Sequence, residues 1–300
     1  MDVENQKIDL PLLDRKEISL FIKREDTIHP IVSGNKYRKL KYNIQEARKL
    51  RFSTLLTYGG AYSNHIAATA CVGQEFNFKT IGVIRGEELI DKWKTNPTLA
   101  SAKEHGMDFH FVSRETYRNK QKDEFSYQLK KKFGNFYAIP EGGTNNLAVK
   151  GCEEILTTKD TQFDFICCCV GTGGTLTGLI NSAMAHQIVL GFPALKGDFL
   201  KNDIRKFVQN EDWKLITNYH FGGYAKINAN LVTFINNFKS ETKIQLDPIY
   251  TGKMVYGLLD LIAKDYFQKG SKILVIHTGG LQGILGMNMV LKKKNLPLLK

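Results

Sequence analysis

Short apolar runs alternate with helical stripes along the chain. The runs at 54–58, 80–84, 107–112, 136–140, 165–170, 187–192 and 272–277 read as strands, and 18–23 as a partly buried one. Between them, Leu40, Ile44, Ala47 and Leu50 recur at helical spacing, which predicts a helix opening at Gly34 and running to about 50. Further helices are expected at 63–71, around 97–105, over the lysine-rich 115–132, at 231–239, from 247–253 on to 268, and after Gly280. The polar stretch from 193 to Tyr219 reads as irregular, and 221–224 as a turn with an exposed aromatic. Strands and helices that take turns with little else define an α/β chain with mainly parallel sheets.

Several strands leave through glycine into a helix start. The clearest is Val170-Gly171-Thr172-Gly173-Gly174-Thr175 after Phe165-Ile166-Cys167-Cys168-Cys169. Such an exit leaves backbone N–H groups free and aligned with the helix dipole, so it reads either as a phosphate nest or as an ordinary strand-to-helix turn. Gly59-Gly60 followed by Ser63-Asn64-His65 is a second exit, a good helix cap with or without an anion. His277-Thr278-Gly279-Gly280 is a third. In open parallel sheets these carboxyl ends of strands are where ligands bind. Lys36 and Lys39 lie one turn apart at a helix N-terminus, where cations oppose the dipole. They read either as a solvated face or as a pair held in a special backbone position after Gly34-Asn35.

Composition narrows the class. Of 300 residues, 42% are hydrophobic and 24% charged, as in a globular protein that buries a core. A net charge of +12 raises nucleic acid as a partner. The cations are scattered, however, and Lys130-Lys131-Lys132 and Lys292-Lys293-Lys294 read as solvated helix ends, so no nucleic-acid reader is expected. The acidic start without an apolar region, and apolar runs well below the roughly 20 residues that span a bilayer, predict a cytoplasmic chain without membrane contact. The five cysteines include a consecutive trio whose neighbours point to opposite sheet faces. They read as small buried hydrophobes, and no metal site is expected.

Taken together, Gly34-Asn35-Lys36-Tyr37-Arg38-Lys39-Leu40, Ser63-Asn64-His65, 170–175, Asp247-Pro248-Ile249-Tyr250-Thr251-Gly252-Lys253 and His277-Thr278-Gly279-Gly280 resemble the pyridoxal-phosphate enzymes of the tryptophan-synthase-β fold type. The branch they resemble is the D-cysteine desulfhydrase and 1-aminocyclopropane-1-carboxylate (ACC) deaminase family. The resemblance implies pyridoxal 5′-phosphate as cofactor, with Lys36 joining it covalently and then acting as base at the substrate Cα. Lys39 and Gly171, Thr172, Gly173, Gly174 and Thr175 would hold the phosphate, and Asn64 the pyridine 3′ oxygen. Ser63 would hold the substrate carboxylate with Asn64 and His65 beside it, and Tyr224 and Tyr250 would flank the substrate, one of them transferring a proton. Thr278 would meet the pyridine nitrogen, where a hydroxyl leaves that nitrogen largely unprotonated, a weak electron sink suited to β-elimination. His277 would line the pocket or serve as a structural hydrogen-bonder.

Two departures stand out. ACC deaminases carry glutamate after the second tyrosine, whereas Thr251 stands here, as in the D-cysteine desulfhydrases. Tyr62 replaces the family's usual glutamine before Ser-Asn and alters the carboxylate pocket. The chain is also shorter than typical members around 184–218. The resemblance implies a homodimer and two mainly parallel α/β units, a larger one from 1–41 plus 151–300 and a smaller one from 42–150. The expected reaction is elimination from D-cysteine to pyruvate, ammonia and sulfide. ACC deamination, racemisation or β-replacement on the same cofactor, and a non-catalytic carrier are the alternatives.

Overall fold

The computed structural model describes residues 3–197, 199–208 and 210–300. Met1 and Asp2 of the acidic start, and Asp198 and Gln209 of the stretch read as irregular, lie outside them. The chain opens with β1 (Asn5–Ile8), α1 (Pro11–Lys16), β2 (Ser19–Lys23) and α2 (Asn35–Lys49). A four-stranded unit follows: β3 (Thr54–Gly59), α3 (Asn64–Glu75), β4 (Lys79–Arg85), α4 (Pro97–Glu104), β5 (Asp108–Val112), α5 (Arg114–Arg118), α6 (Asp123–Phe133) and β6 (Tyr137–Ile139). After α7 (Asn146–Glu153) the chain continues through β7 (Phe165–Val170), α8 (Gly174–Ser182), β8 (Ile188–Pro193), α9 (Phe199–Arg205) and β9 (Trp213–Leu215). It closes with α10 (Ala229–Thr242), α11 (Thr251–Ala263), β10 (Lys272–Ile276) and α12 (Gly283–Lys293).

The strands form two sheets, ordered β5-β4-β3-β6 and β1-β2-β10-β7-β8-β9. Every pairing is parallel except β1 with β2. Helices cover both faces of a parallel sheet, so its strands bury residues on both sides. In β7, Cys167 and Cys169 pack with Leu20, Ile273 and Val275 on one face, while Cys168 packs with Ile166, Leu274 and Ile276 on the other. All five cysteines are buried and unpaired. Each sheet has one place where the direction of winding reverses: between β3 and β6, and between β7 and β10. A crevice opens at the carboxyl ends of strands at such points.

The predicted elements, which did not include helices α1 and α7, differ from the structure in several places. The helix expected over 115–132 is two, α5 and α6, because Lys122 is extended between them, and Tyr117, Phe125 and Leu129 turn inward. The helix expected to reach 268 stops at Ala263, where Asp265 takes a left-handed conformation. The stretch read as irregular holds α9 and β9. Strand β1, too short and polar to show periodicity, adds an antiparallel edge. No helix among the described residues is long and apolar enough to cross a membrane.

Candidate active site

A cavity of about 520 Å³ lies at the two winding reversals. Its lining includes Lys36, Lys39, Ser63, Asn64, His65, Gly171, Thr172, Gly173, Thr175, Tyr224, Tyr250 and Thr278. Residues spread over more than 240 positions therefore converge. Gly174, Thr251 and His277 do not line it.

Lys36 reaches the cavity from the first turn of α2. Gly34 precedes it at φ 63°, and a Cβ there would lie 2.0 Å from the Thr278 carbonyl oxygen. Only glycine permits both the left-handed conformation and that approach. The Asn35 N–H donates to the Thr278 carbonyl at 3.3 Å, and Asn35 Nδ2 donates to Thr175 Oγ1 at 2.8 Å. The start of α2 is thus fastened to the loop after β10 and to the first turn of α8. Behind it, Arg38 holds the buried Glu25 through two hydrogen bonds of 2.9 and 2.7 Å. The Lys36 amine is pushed from 10.5 down to about 7, first by burial and then by the charge of Lys39. A lysine in that state can give and take a proton near neutral pH.

Lys39 is buried at 2% exposure and donates to Gly142 O, Thr144 Oγ1 and Thr172 Oγ1 at 3.1, 3.0 and 3.4 Å. All three acceptors are neutral, and no carboxylate pairs with it among the described residues. Burial lowers its pKa. A buried cation held only by neutral oxygens calls for an anion. The loop beside it provides the cradle. Gly173 is left-handed at φ 85° and starts α8, and a Cβ on Gly174 would lie 2.8 Å from Thr144 Oγ1 and 3.2 Å from Lys39 Nζ. Threonine hydroxyls, free N–H groups, a helix dipole and one ammonium are groups that could hold a phosphate.

Ser63 caps α3, its Oγ accepting from the Ile66 N–H at 3.3 Å, and Asn64 is the first helical residue. Asn64 Oδ1 accepts from Gln282 Nε2 at 3.1 Å, which fixes the amide. Thr57 Oγ1 donates to the Ile139 carbonyl and so accepts from His65 Nε2–H at 2.8 Å, leaving His65 Nδ1 without a proton. Burial, together with Lys36 and Lys39, holds His65 well below the usual imidazole range, so it stays neutral. Tyr62 lies against α12, where a Cβ on Gly286 would come within 2.5 Å of its ring.

Tyr250 stands at the N-terminus of α11, its ring centroid 6.2 Å from that of Tyr224 at 61°. Burial raises the pKa of both phenols. Asp247 holds Tyr250 in place: its Oδ2 accepts from the Ile249 and Tyr250 N–H groups, and its Oδ1 from the Thr251 N–H and hydroxyl. The Thr251 hydroxyl in turn accepts from the Asp247 N–H. It serves this cap rather than the cavity. Thr278 lines the cavity with Cys169 Sγ 3.0 Å from its hydroxyl. His277 is structural: Nε2–H donates to Gln245 O at 2.7 Å and Nδ1 accepts from the Gly279 N–H at 3.2 Å.

The sequence reading gave no role to Asn35, Gly142, Thr144, Asp247 or Cys169. For Gly142 and Thr144 a signal existed, since Glu141-Gly142-Gly143-Thr144 is one more glycine exit from a strand. Asp247 carried a weaker one, an acid four residues before a helix start. Cys169 carried none.

The fold is that of an α/β enzyme, and the site sets groups that could hold a phosphate beside a buried lysine. Comparison with known proteins agrees: a family model described as pyridoxal-phosphate dependent enzyme matches residues 4–279. The chain belongs to this family, and pyridoxal phosphate is its cofactor. It is 33% identical over 294 residues to the bifunctional D-cysteine desulfhydrase/1-aminocyclopropane-1-carboxylate deaminase, mitochondrial, of Arabidopsis thaliana, covering 88% of this chain and 73% of that protein. It is 27% identical over 301 residues to the 1-aminocyclopropane-1-carboxylate deaminase of Bradyrhizobium diazoefficiens, covering 90% and 89%. The crystal structure of an ACC deaminase homologue superposes with a TM-score of 0.82 at 27% identity, covering 98% of this chain and 94% of that one.

Proposed function

We propose that the chain deaminates a small amino acid by α,β-elimination, with D-cysteine as the substrate and pyruvate, ammonia and sulfide as products. The observation that carries this reading is the Lys36 amine, lowered to about 7, lining one cavity with the Ser63 cap and the Tyr224–Tyr250 pair. Lys39, Thr172, Thr175 and the 171–174 backbone would hold the cofactor phosphate, Asn64 its 3′ oxygen, and Thr278 its ring nitrogen. When bound, pyridoxal phosphate supplies the electron sink that makes the substrate Cα–H acidic. Lys36 would take that proton. Ser63 and the N-terminus of α3 would anchor the carboxylate, with His65 as a neutral wall. Of the two phenols, Tyr250 is the one held rigidly by Asp247, and it would deliver the proton at the departing group. The same proposal divides the chain into units 1–41 plus 151–300 and 42–150.

Thr251 favours D-cysteine over ACC. Its hydroxyl is bound within the Asp247 cap, so position 251 offers the cavity no carboxyl group for opening a ring. The relatives' names favour ACC more often, and this second reading predicts a different product. Purified enzyme with pyridoxal phosphate is assayed for sulfide and pyruvate from D-cysteine and for 2-oxobutyrate from ACC. Sulfide with little 2-oxobutyrate is the expected result. 2-Oxobutyrate as the main product would replace D-cysteine with ACC.

A further inference from the structure

The groups described so far account for the inner part of the cavity, and its mouth holds one more. Arg85 ends β4, at the carboxyl end of a parallel strand, and lines the cavity. A Cβ on Gly60, in the turn that leads to Ser63, would lie 3.4 Å from an Arg85 Nη. The guanidinium stands 5.5 Å from the centroid of the Tyr117 ring, and its charge acts on Tyr224, lowering the phenol's pKa against the larger effect of burial.

Two carboxylates share this mouth, and both are engaged elsewhere. Glu88 binds Arg114 at 2.7 Å, and Glu141 binds Lys120 at 3.1 Å. Among the described residues, no side chain or carbonyl forms a hydrogen bond or ion pair with the Arg85 guanidinium. A guanidinium stacked on one aromatic ring keeps its orientation while its N–H fork stays available, and that fork matches a carboxylate or phosphate with two parallel bonds. A simple amino acid has its one carboxylate anchored at the Ser63 cap, and leaves Arg85 without a partner.

Resting on the deamination reading, we propose that the pocket selects amino acids with a second anionic group beyond Cβ, held by Arg85. With O-phospho-D-serine, Lys36 takes the Cα proton and the Cβ–O bond breaks with its electron pair leaving on phosphate. Water then converts the released enamine to pyruvate and ammonia. A succinyl ester reacts likewise, with succinate as the leaving group.

The test compares kcat/KM of the holoenzyme for D-cysteine, O-phospho-D-serine, O-succinyl-D-serine and the uncharged O-acetyl-D-serine, in wild type and in Arg85→Gln and Arg85→Lys. The phosphate and succinate arms separate the two anion types. In wild type the better anionic substrate is expected to exceed the acetyl ester, and Arg85→Gln to reduce that ratio about tenfold or more, the loss of one charge-assisted bidentate contact. Arg85→Lys, a point charge without the fork, is expected to fall between. An unchanged ratio in Arg85→Gln overturns the proposal, as does a wild-type preference for the acetyl ester. Turnover of D-cysteine with neither anionic ester overturns this inference alone. No turnover of any of the four overturns the deamination reading with it.

Discussion

Lys36 and Lys39 lie one turn apart on α2 yet do different work, and their surroundings say which. Burial and the Lys39 charge bring the Lys36 amine down to about 7, whereas Lys39, itself lowered by burial, sits among oxygens that favour its ammonium. Because the folded Lys36 releases its proton near 7 and the unfolded chain holds it to 10.5, the unfolded state binds more protons in that window. The cofactor-free chain is therefore expected to gain stability relative to Lys36→Met as pH rises from about 7 towards 10.5, read as the shift in urea midpoints. A difference independent of pH would mean an ordinary amine. Lys39→Met is expected to weaken cofactor binding by about 1.5–3 kcal/mol, roughly tenfold to 150-fold, in a fluorescence titration. Retained affinity would move the phosphate elsewhere. At this scale local glycine and cap chemistry marked Lys36, Ser63 and the 171–175 loop but left each with two readings, and the family resemblance gave them roles. Cys169 and Arg85 carried no such mark, because what matters about them is what lies across the cavity.

Helix α11 shows how an element couples residues. Tyr250 is fixed at its start by Asp247, and three further positions on one stripe hold the loop that carries Tyr224. Lys253, 2% exposed, donates to His220 O and Gly223 O at 2.9 and 2.8 Å. Gly257 makes room for the Tyr219 ring, and Asp260 accepts from the Tyr219 hydroxyl at 2.6 Å. The loop needs fastening, since Phe221 and Ala225 are left-handed at φ 53° and 56°. Burial lowers the Lys253 amine to about 8 against the pull of Asp247. Lys253→Met removes the ammonium from two carbonyls, which keep only their turn N–H partners, and is expected to lower kcat about tenfold with cofactor affinity retained. An unaltered kcat would show that Tyr224 needs no such support. Likewise Gly34→Ala adds about 1–3 kcal/mol of backbone strain on top of a Cβ only 2.0 Å from Thr278 O, so its thermal midpoint is expected to drop. A midpoint equal to wild type would contradict the close approach. Most elements were legible from periodicity. The α5–α6 break and β9 were not, because a turn of polar residues and a three-residue strand carry no period.

Over the whole molecule, two parallel sheets set their winding reversals against one cavity, and α2 ties them together. Lys39 reaches Thr144 across 105 positions, and Asn35 reaches Thr175 across 140. Such separations are invisible to local patterns, which explains why the fold class could be read from the sequence while the partners of each site residue could not. Glycine exits supplied the exception: each marked a strand end, and in a parallel α/β protein the strand ends carry the site. The net charge of +12 belongs to this scale as well, a balance that favours association with small anions.

One measurement bears most directly on the central claim that Lys36 carries cofactor chemistry on a D-amino acid. Purified wild type and Lys36→Ala are loaded with pyridoxal phosphate, and visible absorbance is recorded before and after D-cysteine is added. The expected result is a yellow band in wild type that shifts with sulfide release, and neither band nor sulfide in Lys36→Ala. A wild-type protein that stays colourless with the cofactor, or a variant that releases sulfide as fast as wild type, would contradict it.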